Sequence, residues 1–422
     1  MDKLSKAVVV SMAVMLIIIL AAGGKITIGT KAPADNRPTE PPMDPPIEES
    51  ASYHVGIVTK DNHEDEIQGA KALVAQYGSV DKGGIIKHVI SYEGFAGDLE
   101  FDIMQITGLA NDPLMKAVIV SPGTPGTATA FQRIREAGRD DMLFMAVLPY
   151  YYDPNLILAA DVIIDTDVAV RGFYDILRAK NMGATTFVFM SFQRHMDIEI
   201  LSRRRNIYEE ACKDLALEFV FETVPDPAMA DLGATAAQQQ VYDMMPDLVE
   251  KYGEDTVFFT TNTALLEPVI KRVVELGAMF SNQEDMSPVY GYPTALELDL
   301  SAEIGDWPAI VSKIEEAVVA KGMSGRMGTW PYSFNYCNTI GLAQLAMNMI
   351  EGKGTGNVQN DIIATYQALT PGCEWMAQVC EDPDSGQKIS NYYLLSMDTY
   401  IFGQGYSGVF SEPVPEKYYR IK

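Results

Sequence analysis

Residues 116–148 read KAVIVSPGTPGTATAFQRIREAGRDDMLFMAVL, and this stretch decides the fold class. Lys116–Val120 is a short apolar run rich in β-branched residues, suited to a strand buried on both faces. Ser121-Pro122-Gly123 ends it, and Thr127–Ala137 follows with apolar residues at helical spacing, closed by Gly138. Met142–Leu148 is a second apolar run. Two apolar strands joined through a helix form the crossover unit of a parallel sheet.

The same unit extends in both directions. Upstream, Tyr53–Lys60 and Ile85–Tyr92 read as strands, and His63–Tyr77 and Leu99–Leu109 as helices. Downstream, Asp161–Asp165 reads as a short strand. The alternation then begins again. Val168–Lys180, Ile198–Leu217, Ala234–Tyr252 and Leu265–Leu276 are helical, and Thr186–Ser191, Phe219–Thr223, Thr256–Thr260 and Val289–Tyr292 are strands. No long linker separates the two series, which predicts two lobes joined by hinge strands. Helices at Trp307–Lys321 and Tyr336–Ile350, an irregular stretch and a strand near Tyr392–Met397 complete the tail. The predicted fold is α/β and two-lobed, each lobe a parallel sheet with helices on both faces and a ligand cleft between the lobes. Lobe 1 is assigned to 53–166 with a return segment about 325–352, lobe 2 to 167–300, and 301–422 to return helices and a C-terminal segment covering the lobes.

Composition narrows the function. The chain has 422 residues, 47% of them hydrophobic, and a formal net charge of −25, which argues against nucleic acid because phosphate binding needs clustered cations. Lys3 and Lys6 precede an apolar run from Ala7 to Ala22 and then Gly23-Gly24, the pattern of an export signal, cleaved or retained as an anchor, over residues 1–24. Residues 25–52 are a linker containing Pro33, Pro38, Pro41, Pro42, Pro45 and Pro46, expected to act as an extended tether. A periplasmic or cell-surface location is expected.

In parallel sheets, ligands sit beyond the carboxyl ends of the strands. The candidate binding residues are therefore Lys60, Glu93, Ser121, Gly123, Thr124, Tyr150, Tyr151 and Asp165 from the first lobe. The second lobe contributes Phe192, Arg194, His195, Asn262, Thr263, Tyr290 and Tyr292. The tyrosines offer stacking surface; Ser121, Thr124 and Asn262 offer hydrogen bonds; Arg194 or His195 could meet an anionic group.

Catalytic patterns are poorly supplied. Gly123-Thr124-Pro125-Gly126 lacks the following Gly-Lys-Ser/Thr of a phosphate-binding loop and reads as a turn into a helix. His63-Glu64-Asp65-Glu66 lacks the second histidine of a helical zinc site and reads as an acidic first turn. Four histidines leave little material for a triad or a metal cluster, so neither a metal nor a cofactor is expected. Glu93, Asp165 and Asp167 are the carboxylates an exported enzyme would draw on. Cys373 and Cys380 could form a disulfide or remain two buried thiols. Arg203-Arg204-Arg205 fans over too wide an arc of one helix for all three to face a single site; it reads as a solvated face pairing with Glu199, Glu209 and Glu210, with one arginine reaching the cleft as an anion clamp as the alternative.

Several segments resemble a known group. Ser191-Phe192-Gln193-Arg194-His195, Leu201-Ser202-Arg203-Arg204-Arg205, Thr261-Asn262-Thr263-Ala264, Gly291-Tyr292-Pro293 and Gly328-Thr329-Trp330, with the order of elements, resemble the type I periplasmic binding proteins. More narrowly they resemble an uncharacterised family of bacterial lipoproteins with that fold. The resemblance implies a receptor that captures a small molecule and delivers it to the membrane permease of an ABC transporter, but names no ligand; the loop tyrosines with Arg194 or His195 point to an aromatic or carboxylate-bearing one, and a monomer is expected. A ligand sensor for a membrane receptor or kinase is the alternative, and an exported enzyme a further one. Members carry a lipid-attachment cysteine after the signal, whereas Leu20-Ala21-Ala22-Gly23 is here followed by Gly24.

Overall fold

A computed structural model describes residues 51–91, 99–148, 153–229, 233–382 and 385–422. The export signal and proline-rich linker lie outside them, as do Glu93, Tyr150 and Tyr151.

The first lobe runs β1 (His54–Lys60), α1 (Glu64–Tyr77), β2 (Ile86–Ser91), α2 (Leu99–Gly108), β3 (Met115–Val120), α3 (Thr127–Glu136), β4 (Leu143–Val147), α4 (Pro154–Ala159) and β5 (Val162–Thr166). The strands lie parallel in the order β2-β1-β3-β4-β5. Alternate residues feed opposite faces, as a pleated strand requires. Ile57, Ile119 and Ile164 join one apolar cluster; Val58, Val118 and Ile163 join another on the reverse face. Both faces of the inner strands β1, β3, β4 and β5 are buried, which is why these read as largely apolar runs, whereas the edge strand β2 is partly exposed.

The second lobe runs α5 (Val168–Asn181), β6 (Thr186–Ser191), α6 (Gln193–Met196), α7 (Glu199–Leu215), β7 (Glu218–Thr223), α8 (Gly233–Tyr252), β8 (Thr256–Thr260), α9 (Leu266–Leu276), α10 (Tyr292–Ala295) and α11 (Trp307–Ala320). Its named sheet has three parallel strands, β7-β6-β8, fewer than the first lobe's. Single parallel bridges, Val257 to Met279 and Phe280 to Met327, extend it. Residues 289–291 are turn and bend, not the predicted strand. Gly291, at φ +83°, reverses the chain there, and α10 starts at the next residue.

The tail runs β9 (Gly328–Thr329), α12 (Phe334–Ile350), α13 (Val358–Leu369), β10 (Trp375–Glu381), β11 (Lys388–Met397), β12 (Tyr400–Ile401) and β13 (Gly405–Tyr406). Its expected irregular stretch contains α13 and β10. β11 pairs parallel with β5, and β10 antiparallel with β11, making the first lobe's sheet seven-stranded. α12 packs along α1, where Gly69 permits the approach: a Cβ there would lie 3.1 Å from the Tyr336 carbonyl oxygen. Cys373 and Cys380 are free thiols, so the possible bridge is absent. No helix among the described residues is long and apolar enough to cross a membrane.

Candidate functional site

β1 and β5 of the first lobe and β6 and β8 of the second end in buried polar residues, and buried Ser121 follows β3. Lys60 closes β1, only 2% exposed, with its ammonium paired to Asp102 of α2. Beyond β3, the Ser121 hydroxyl accepts a hydrogen bond from Thr339 of α12 at 3.0 Å. Gly123 donates its N–H to Val147 at 2.8 Å. A Cβ at that glycine would lie 3.0 Å from a Leu156 methyl and 3.2 Å from the Val147 carbonyl oxygen, a tight fit. Thr124 has a buried hydroxyl oxygen without a hydrogen-bond partner among the described residues. Gly126, at φ +99°, caps α3, so this segment is the helix-feeding turn expected from its sequence.

In the second lobe, Ser191 at the end of β6 lies 2.8 Å from the Thr261 hydroxyl, which lies 3.0 Å from His195 Nδ1. The Phe192 ring packs at a tilt against His195, with ring centres 4.1 Å apart. Asn262 caps the short turn at Thr263 by accepting the Ala264 N–H at 3.0 Å. These residues therefore gather at one end of the sheet, as parallel topology requires.

The two expected anion anchors are differently employed. Arg194 forms a two-pronged pair with Asp226, at 2.7 and 2.8 Å. Burial, then Arg194 itself, lowers the pKa of His195, which favours the neutral ring. Tyr292 is a core residue: fully buried, it donates to the Gly328 carbonyl at 2.7 Å and packs edge-on against Phe280 and Phe402. Gly291 sends Tyr290 and Tyr292 to different places, which their shared turn in the sequence does not reveal.

Residues not singled out as binding candidates surround the candidate Tyr290. Asp65, in the first turn of α1, accepts a hydrogen bond from Ser333 at 2.5 Å, and Ser333 caps α12. Burial raises the Asp65 pKa, against the lowering influence of the Ser333 and Ser287 hydroxyls. Tyr290 is raised by burial, then by Asp65, Asp285 and Glu66, so three carboxyls from both lobes act on one phenol. Burial and the neighbouring Glu284 push Asp285 up to about 6, with Arg171 and Arg204 opposing. The junction is acidic. Its sequence signals were the acidic turn at His63–Glu66, read as a helix start, and Ser333, just ahead of the predicted Tyr336 start.

Under the second lobe's strand ends lies a buried charge network. Arg204 of α7 bonds Glu284 at 2.8 Å, and Arg171 of α5 donates to the Gln283 and Glu284 carbonyls at 2.9 and 2.7 Å. Asp175 accepts from Arg178, Tyr208 and Asn282 at 2.6–2.8 Å. Arg203 instead reaches the Ile421 carbonyl at 2.9 Å, so the arginine run serves packing and not one site.

Residues 53–328 match the family described as Protein of unknown function (DUF3798). The chain belongs to that family. An uncharacterized protein of Treponema pallidum (strain Nichols) is 38% identical to this DUF3798 chain over 180 residues, covering 42% of it and 81% of the relative. A second from the same strain is 32% identical over 219 residues, covering 52% of the chain and 98% of the relative. The crystal structure of a putative transcriptional regulator from Clostridium difficile 630 matches with a TM-score of 0.74 at 22% identity, covering 83% of this chain and 99% of that one. That likeness is one of fold. The two-lobed parallel arrangement is of the type I periplasmic-binding-protein kind.

Proposed function

We propose that this DUF3798 chain is an exported solute receptor that closes two lobes around a small molecule and presents the closed form to the permease of an ABC transporter. One observation carries the reading. Polar side chains from the strand-end loops of one lobe, from the facing turn of the other, and from the crossing between them converge at a single junction: Asp65, Tyr290 and Ser333. The strand ends are buried as they stand, so solute enters when the lobes part and is sealed when they close. The crossings lie at Thr166–Val168 and near Trp330–Ser333, and Met286, Trp330 and Phe334 belong to an apolar cluster shared by both lobes. That cluster favours closure through apolar burial.

The acidic lining supports a hydroxyl-rich or amine-bearing solute over the carboxylate considered from sequence, since a solute carboxylate would be repelled by Asp65, Glu66 and Asp285. The test is native mass spectrometry of the full chain purified without denaturation, followed by titration calorimetry with whatever compound is released. One bound small molecule, lost in Asp65→Asn, is the expected result. Absence of any bound compound, together with no heat from a panel of sugars, polyols and amines, would refute the receptor reading.

A further inference from the structure

On the flank of the molecule, the loop before α11 stands away from α1 and leaves a hollow of about 720 Å3. That volume is within the range of small-molecule sites. One wall is aromatic, built from Trp307, Tyr332 and Tyr336. Trp307 packs edge-on against Tyr336, with ring centres 5.3 Å apart, and Tyr332 is tied to the Pro371 carbonyl at 3.3 Å. The wall is therefore held in place.

Two features of the lining stand unexplained by folding. Trp307 is only 6% exposed, yet its indole N–H has no acceptor among the described residues. A buried donor left unmade is costly, and native structures rarely tolerate one without a purpose. Ile304, also lining the hollow, is 66% exposed, large and apolar. Lys71 of α1 lines it too, more than half exposed and only loosely paired with Glu64 at 3.8 Å.

We propose that this hollow is a second binding site, separate from the interlobe junction, for a planar aromatic anion. The ring lies along the aromatic wall and covers Ile304, an acceptor atom takes the Trp307 N–H, and the acidic group meets the Lys71 ammonium. The walls come from α1 of the first lobe, from Ile304–Asp306 and the start of α11 of the second, and from the crossing at Tyr332. An occupant therefore touches both lobes. Its affinity depends on how they are disposed, and by linkage a solute held in the junction changes that affinity by the same factor that the occupant changes the solute's.

The probe is 1-anilinonaphthalene-8-sulfonate, a planar aromatic anion, added to the folded full chain. A single saturable site is expected, with energy transfer from tryptophan to the probe. Trp307→Phe keeps an aromatic ring in the wall and deletes the N–H, and, read by direct excitation of the probe, weakens binding about five- to tenfold. Lys71→Glu weakens it about tenfold or more. Ile304→Glu, at an exposed position, does the same without touching the core, and thermal unfolding of each variant verifies that it is folded. No saturable signal from the wild-type chain, or equal affinity in folded Lys71→Glu and Ile304→Glu, overturns the proposal.

Discussion

Tyr392 donates its hydroxyl to Asp165 at 2.9 Å, across a sequence separation of 227 residues. The bond joins β11 of the tail to β5, the strand that leads out of the first lobe. Asp167, two residues on, caps α5 through the Val170 N–H at 2.9 Å and accepts from Gln378 of β10. The crossing between lobes is thus held by two buried carboxyls and by the tail.

Those carboxyls make stability depend on pH. Burial pushes Asp165 up to about 7 and Asp167 up to about 6, the Thr166 and Val170 N–H groups opposing. A raised folded pKa means that the native state holds the proton more tightly. The stabilisation is full below the unfolded value near 4 and is lost as pH rises through about 7. Asp165→Asn mimics the protonated form, so it should raise the thermal midpoint at pH 8 and flatten the fall between pH 4.5 and 8. A midpoint series in matched buffers checks this. A steeper fall in the variant would contradict it.

Glu284→Gln removes the charge that faces Arg204 and Arg171 in a dry environment. Loss of one partner of a buried pair costs about 3–5 kcal/mol. Urea unfolding should show a loss of that order, and the double variant Arg204→Met with Glu284→Gln should lose less than the two singles summed.

The two tyrosines flanking Gly291 should separate cleanly. Tyr292→Phe leaves the Gly328 carbonyl without its donor and should cost about 1–3 kcal/mol of stability with solute affinity unchanged. Tyr290→Ala should weaken capture of the co-purifying compound at least tenfold while unfolding near the wild-type midpoint. Calorimetry and denaturation on the same samples read both quantities. The reverse pattern would place the site elsewhere.

With all four cysteines as free thiols, the denatured chain, never exposed to reductant, should react with four equivalents of a thiol reagent. Two equivalents would mean that Cys373 and Cys380 are bridged after all. Burial pushes Cys380 and Cys212 each up to about 12, so the folded chain should react slowly at neutral pH.

Most of the fold was legible because its strands are short, apolar on both faces and separated by helices with clear stops. Thr186–Ser191 and Thr256–Thr260 have the limits their composition predicts. The errors fall where local pattern carries no information. Val289–Tyr292 has strand-like residues, yet Gly291 turns the chain there. β10 looked irregular because Gln378–Glu381 is only partly buried or exposed, and its pairing partner β11 lies beyond a turn. For the site, the sequence located the strand ends, and the structure gathers Ser191, Phe192, His195 and Asn262 there. It could not show that Arg194 is engaged by Asp226.

The periodicity of apolar residues by itself determined two parallel α/β units, since burial on both faces and helical spacing are properties of neighbouring residues. What the tertiary structure alone decided is which side chains meet. Asp65 finds Ser333 across 268 residues, and the tail completes the first lobe's sheet. Such contacts depend on how elements pack in space, and a polar residue at a helix start looks the same whether it faces water or another helix.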